Sequence, residues 1–142
     1  MGIVGPGSPG LYEAGQLAVL KDDLEYVMSS LPWANFKNPR TQKVAEDYLT
    51  RSGGKTFHTN SGYSYDGMML IPDVLERAKS TDPDAIVETL RKSNWSGGLM
   101  QYAGPVTFNE VGDNPNAVTT MIQILGGKPV AVWPPEAAVQ KF

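Results

Sequence analysis

The residue types that could do chemistry fall in three short stretches. His58, the one histidine of the chain, is followed by Ser61 and Asp66, which together suggest a nucleophile, a base and an orienting carboxylate of the kind used in acyl transfer. No nucleophile elbow surrounds Ser61. His58, between Phe57 and Thr59, therefore reads as a loop residue with its hydrogen bonds satisfied. Asn109, Glu110, Asp113, Asn114 and Asn116 carry oxygens of the type that bind calcium, but their spacing lacks the alternating ligands and closing bidentate glutamate of a calcium loop. A polar turn through Gly112, Asp113 and Asn114 is the better reading. The opening run Gly5-Pro6-Gly7-Ser8-Pro9-Gly10 lacks the Lys-Ser/Thr ending of a phosphate cradle. Its backbone N–H groups and Ser8, set between a strand end and a helix start, could still accept a carboxylate. None of the three stretches calls for a catalytic residue, a metal or a cofactor.

These stretches lie in a chain of 142 residues, 41% hydrophobic and 19% charged, a composition that suits a globular domain rather than a disordered segment. On length alone, one domain is expected. The absence of cysteine excludes disulfide scaffolds, thiolate-bound zinc and thiol catalysis without deciding the compartment. A net charge of −3 argues against a partner bound through its phosphate backbone, so no nucleic acid is expected. Met1 to Gly7 has neither a basic flank nor a long apolar run, so it reads as neither signal peptide nor membrane anchor.

The 15 glycines and 11 prolines cluster between apolar runs and mark the element boundaries. A helix is expected over 11–20, then a short strand over 24–28, then a loop over 29–38 holding Pro32, Trp33 and Phe36. Asn38 is placed to cap a helix with Pro39 in its first turn. Val44, Ala45, Tyr48 and Leu49 form its buried stripe, and Gly53-Gly54 ends it. A second helix is expected over 61–78, apolar over a wide arc that suits burial against a sheet, with Pro72 set to kink it. Asp82-Pro83 starts a third helix that ends near Lys92. Strands are expected over 105–108 and 117–125, and Gly126-Gly127 joins the latter to 128–133 as a hairpin.

Three segments carry a resemblance to a known family. The run Ser61 to Ala78 (SGYSYDGMMLIPDVLERA), the run Ser80 to Arg91 (STDPDAIVETLR) and the run Gly104 to Pro115 (GPVTFNEVGDNP) occur in an order and spacing that resemble the C-terminal part of type I periplasmic binding proteins. The likeness is to the branched-chain amino acid and amide group of ABC-importer receptors, and it extends from Met1 to about Pro134.

The resemblance implies an α/β fold in which two lobes, each a mostly parallel sheet covered by helices, close over a small solute without chemistry. On that pattern residues 1–31 end the second lobe, 32–120 return to the first as mainly covering helices, and 121–142 re-enter the second as a hairpin and tail. Roughly the first three-fifths of a family member has no counterpart. The helices over 39–52, 61–79 and 83–92 then lack their sheet, so completion of the fold by a homo-oligomer, with elements exchanged between copies, is expected. The implied function is the solute-binding component, or a truncated part, of an ABC importer in the periplasm. Its partners would be a small solute and a permease. A sensor or receptor domain of the same fold is the alternative.

The ligand site implied by the resemblance includes Val4, Gly5 and Gly7, where amino-acid-binding members carry an acid for the ligand ammonium, together with Ser8. It also includes Asn60, Ser61 and Tyr63 at the start of the 61–79 helix. Without that acid, an ammonium would be buried unpaired, which favours hydrophobic or aromatic carboxylates beside branched-chain amino acids.

Overall fold

The computed structural model describes residues 4–7 and 9–140, which leaves Ser8 outside the described residues. Four strands form one mixed sheet in the order β1-β2-β3-β4: β1 is Val4–Pro6, β2 Met28–Leu31, β3 Thr120–Leu125 and β4 Lys128–Trp133. β1 and β2 run parallel, with Gly5 opposite Ser29. A crossover joins them through 3-10 turns at Pro9–Tyr12 and Lys21–Leu24 that flank the short helix α1, Ala14–Leu20. The expected 11–20 helix is thus divided. The strand expected over 24–28 instead begins at Met28 and continues through Leu31, inside the stretch expected to be a loop. The reason is register: Ser29 and Leu31 face the core while Ser30 is exposed, and this alternation is easy to miss when two of the four residues are serine.

β3 and β4 form the expected hairpin. Gly126 and Gly127 have φ of 57° and 72°, the left-handed pair that a two-residue turn of matching twist requires. The Glu25 carboxylate accepts both turn N–H groups, at 2.8 and 3.2 Å. β3 starts at Thr120 rather than 117. The strand expected at 105–108 is reduced to a single bridge between Trp95 and Val106.

Helices α2 (Pro39–Arg51), α3 (Thr59–Ala78) and α4 (Pro83–Arg91) follow the expected boundaries closely. Asn38 accepts the Arg40 N–H at 2.9 Å, and Asp82 accepts those of Asp84 and Ala85. Each side chain thereby satisfies N–H groups that a helix start leaves open. Asn38→Ala is expected to lower the unfolding free energy by about 1 kcal/mol, measured in urea, with Asn38→Asp losing far less. α3 runs on through Pro72.

The core is divided in two. Tyr12, Leu24, Val27, Leu31, Trp33, Ile122, Ile124 and Ala131 cluster on one face of the sheet, whereas Ala34, Phe57, Leu99 and Met100 form a second cluster with Val44, Tyr48, Tyr65 and Tyr102 against them. The boundary falls between Trp33 and Ala34, and Phe36 packs on both. The wide apolar arc of α3 is not covered as its pattern led us to expect. Met68, Ile71 and Leu75 stay exposed, because the extensive contacts of α3 are with α4 rather than with any strand.

Candidate functional site

The border between the two clusters is held by hydrogen bonds from several directions. After β2 ends at Leu31, the Pro32 carbonyl accepts the Thr59 hydroxyl at 2.6 Å, tying the start of α3 to the carboxyl end of β2. Next, the Trp33 carbonyl accepts the Gln101 N–H and the Leu99 carbonyl accepts that of Asn35, both at 2.8 Å. Residues 33–35 and 99–101 therefore run side by side as a short antiparallel ribbon around the Ala34–Met100 bridge. Tyr102 bridges onward to Ala117, and the chain returns to β3.

The ribbon is fixed to α3 by Asp66. This carboxylate is 4% exposed. Oδ1 accepts the Leu99 N–H at 2.7 Å, and Oδ2 accepts the Met100 N–H at 3.2 Å and the Tyr102 hydroxyl at 3.0 Å. Burial pushes the Asp66 carboxyl up from its ordinary value, although its three donors and the charge of Arg40 pull the other way. The Tyr102 phenol is pushed up by burial and then by the charge of Asp66, and Tyr63 rises for the same two reasons. Two glycines admit this packing. A side chain at Gly62 would collide with the Met100 sulfur, and one at Gly98 would meet the Tyr102 ring at 2.6 Å and Asp66 Oδ2 at 3.0 Å.

These contacts place Asp66 apart from His58. Asp66 lies eight residues further along α3, about 12 Å at 1.5 Å per residue, and its bonds go to the ribbon instead. His58 caps the start of α3 without a side-chain cap bond, and its buried Nδ1 has no protein partner, contrary to the expectation of satisfied bonds. The loop at 109–116 is the polar turn its sequence suggested. Asn109 Oδ1 accepts the Val111 and Asp113 N–H groups, and Gly112 has φ of 90°. Among the described residues, no three His, Asp or Glu side chains gather around a metal-sized site.

The residues singled out for ligand binding do not share one cavity. Val4 and Gly5 lie on β1 and Gly7 just beyond it, at the carboxyl end of the parallel pair, with the Gly7 backbone close to the Ser30 carbonyl. Ser8 lies outside the described residues. Asn60 and Ser61 open into a groove of about 540 Å³ between α2 and α3, whose walls include Tyr48, Phe57, His58 and Tyr65. Tyr63 turns the other way, into a crevice of about 230 Å³ with Asp66, Trp95, Tyr102 and Phe108. What the structure does bring together is the start of α3 and the carboxyl end of β2, through Thr59 and Pro32. The positioning role of Asp66 and Tyr102 was not read from the sequence. The signal was a carboxylate in an otherwise apolar helical stretch.

A parallel pair widened by antiparallel strands, helices that pack beside it and a ribbon joining two cores define one α/β class. The chain belongs to the periplasmic binding protein family, whose pattern matches residues 2–128, and within it to type I. The fold is similar to that of a leucine-binding protein from Thermotoga maritima, with a TM-score of 0.70 and 21% identity over 93% of this chain and 36% of that one. It is also similar to an extracellular ligand-binding receptor from Rhodopseudomonas palustris, with a TM-score of 0.63 and 16% identity over 92% of this chain and 40% of that one. At these identities the likeness is one of fold, and the chain spans well under half the length of either. No curated protein sequence matches. Among the described residues, no helix is long and apolar enough to cross a membrane.

Proposed function

We propose that this chain carries part of the solute site of a periplasmic binding protein that serves an ABC importer, taking branched-chain amino acids or small hydrophobic or aromatic carboxylates. The observation that carries the reading is the bond between the Thr59 hydroxyl and the Pro32 carbonyl. It sets the first turn of α3 beside the carboxyl end of β2, and solutes of open α/β sheets lie outside such strand ends. A helix start offers free N–H groups to a carboxylate. Asn60 and Ser61 would add polar side chains there, with Tyr63 and Val4, Gly5, Gly7 and Ser8 around the border.

On this reading the cluster with β1–β4 belongs to the second lobe and the cluster with α2 and α3 to the first. The ribbon at 33–35 is their hinge, and solute stabilises the closed arrangement by binding it better than the open one. Membership of the family supports a periplasmic location and a permease partner. The likeness to an extracellular receptor supports the second reading, a sensor of the same solutes that delivers nothing to a permease.

Calorimetric titration of the full chain with leucine, and with 4-methylpentanoate, which is leucine without its ammonium, tests the proposal. The carboxylate is expected to bind more tightly, since Val4, Gly5 and Gly7 offer an ammonium no counter-charge. Asn60→Ala with Ser61→Ala should weaken it about tenfold, equivalent to losing one or two hydrogen bonds. Absence of binding by either compound would sink the solute reading for this chain.

A further inference from the structure

Tyr63, Asp66 and Leu70 recur along α3 at i, i+3 and i+7 and so share one side of the helix. Asp66 stands two residues before the exposed Met68, which at 3.6 residues per turn puts the two on nearly opposite sides. The side with Asp66 is the one this chain itself encloses. Residues 95–117 fold over it through the Trp95–Val106 and Tyr102–Ala117 bridges, and Asn116 fastens the fold by donating to the Pro105 carbonyl at 2.7 Å. Between helix and loop remains the crevice of about 230 Å³ into which Tyr63 turns.

The walls of this crevice have a definite chemistry. Four rings line it, those of Tyr63, Trp95, Tyr102 and Phe108, and Asp66 is the one charged residue among its lining. Asp66 is buried, yet every group that bonds to it is neutral: the N–H groups of Leu99 and Met100 and the Tyr102 hydroxyl. Among the described residues no ion pair includes it. The charge of Arg40 acts on it from α2, but that guanidinium is spent on the Gly97 carbonyl at 2.9 Å. The hydrogen bonds of the carboxylate are thus satisfied while its buried charge lacks a close partner, an unfavourable state that a cation would relieve. Burial raises the carboxyl above its ordinary value, and a positive charge beside it would pull the other way.

We propose that this crevice binds a small organic cation with a fully methylated ammonium group, seated among the four rings beside the Asp66 carboxylate. Aromatic rings attract such cations, and more strongly where water is excluded. Methylation matters because Leu99, Met100 and Tyr102 already occupy the carboxylate. A quaternary ammonium donates no hydrogen bond, so it supplies charge without displacing them. The volume lies below the roughly 300–1,000 Å³ of sites for drug-sized ligands, which favours a compact molecule. Apart from Tyr63 the crevice shares no residue with the solute site, since Asn60 and Ser61 open into the groove between α2 and α3. Cation binding here therefore does not depend on the solute reading.

Titration of the full, nitrogen-15-labelled chain with choline at pH 7, followed by its indole N–H resonances, tests the site. Of the indoles of Trp33, Trp95 and Trp133, that of Trp95 is expected to shift and saturate at millimolar choline while the other two stay in place. The neutral alcohol 3,3-dimethylbutan-1-ol has the shape of choline without its charge and should bind about tenfold more weakly. Asp66→Asn removes the charge at nearly constant size and should bring choline level with the alcohol. Phe108→Leu, which touches none of the Asp66 hydrogen bonds, should weaken choline several-fold and keeps the test decisive if Asp66→Asn does not fold. An unmoved Trp95 indole, equal binding of choline and the alcohol, or unchanged affinity in Phe108→Leu overturns the proposal. Phosphatidylcholine vesicles carry the same group on a lipid, and the chain is expected to stay in solution when they are sedimented. Capture by the vesicles in place of a choline-induced shift would overturn binding of the free cation.

Discussion

Asp66→Ala is expected to lower the unfolding free energy by about 3–5 kcal/mol in urea titration, the range for stranding the partners of a buried charged acceptor. Three donors lose their acceptor at once: the N–H groups of Leu99 and Met100 and the hydroxyl of Tyr102. Leu99 and Met100 are buried, so water does not readily replace the carboxylate. Asp66→Asn keeps one oxygen but turns an amide NH₂ toward one side of the same donor set, and a loss of about 1–3 kcal/mol is expected. A cost below about 1 kcal/mol for the alanine variant would mean that the ribbon holds to α3 without this carboxylate.

The pH dependence has a definite sign. Because burial raises the Asp66 carboxyl above its ordinary value, the folded chain binds that proton more tightly than the unfolded one. Stability from this group is therefore complete below the unfolded value of 3.8 and is lost as pH rises through the raised folded value. The advantage of the wild type over Asp66→Asn should grow when urea titrations at pH 7 are repeated near pH 4.5. If it shrinks, the hydrogen bonds to the charged form outweigh burial.

This site also shows how far sequence reasoning reached. Helix α3 was legible from its apolar run alone, whereas α2 and α4 were legible because their ends carry local chemistry: Asn38-Pro39, Gly53-Gly54 and Asp82-Pro83 act within a turn of themselves. The hairpin was legible for the same reason, since two glycines alone provide its turn. β2 was not. Its pattern of Met28, Ser29, Ser30 and Leu31 becomes a strand only through pairing with β1 on one side and β3 on the other, and β3 lies about 90 residues downstream. Asp66 was noticed, but its partners were not. Proximity along the chain suggested His58, whereas the true acceptor geometry depends on residues 99–102, brought over by the ribbon. The family resemblance was legible from motifs in α3, α4 and the 104–115 loop, and the fold bears it out. The convergence of α3 with the end of β2 required the Thr59 to Pro32 bond, which no spacing in the sequence announces.

That convergence gives the other large expected effect, at Trp33. Its indole is 5% exposed and sits between two rings, edge-on to Tyr12 at 6.4 Å and tilted against Phe36 at 6.5 Å. Tyr12 belongs to the sheet cluster, and Phe36 packs on both clusters. Trp33→Ala is expected to cost about 3–5 kcal/mol, the range for emptying a buried aromatic site. Trp33→Phe should cost roughly half as much, because a smaller ring keeps part of the contact. The backbone bond from Gln101 to the Trp33 carbonyl survives both changes, so the loss reports the ring alone. The ring stands at the junction, and its removal weakens coupling between the clusters as well as their sum. Wild-type unfolding followed by far-ultraviolet dichroism should be one transition, and Trp33→Ala should separate it into two, with a shallower dependence on urea. A variant that stays a single transition at undiminished slope would show that the ribbon of backbone bonds, and not the aromatic stack, couples the two halves.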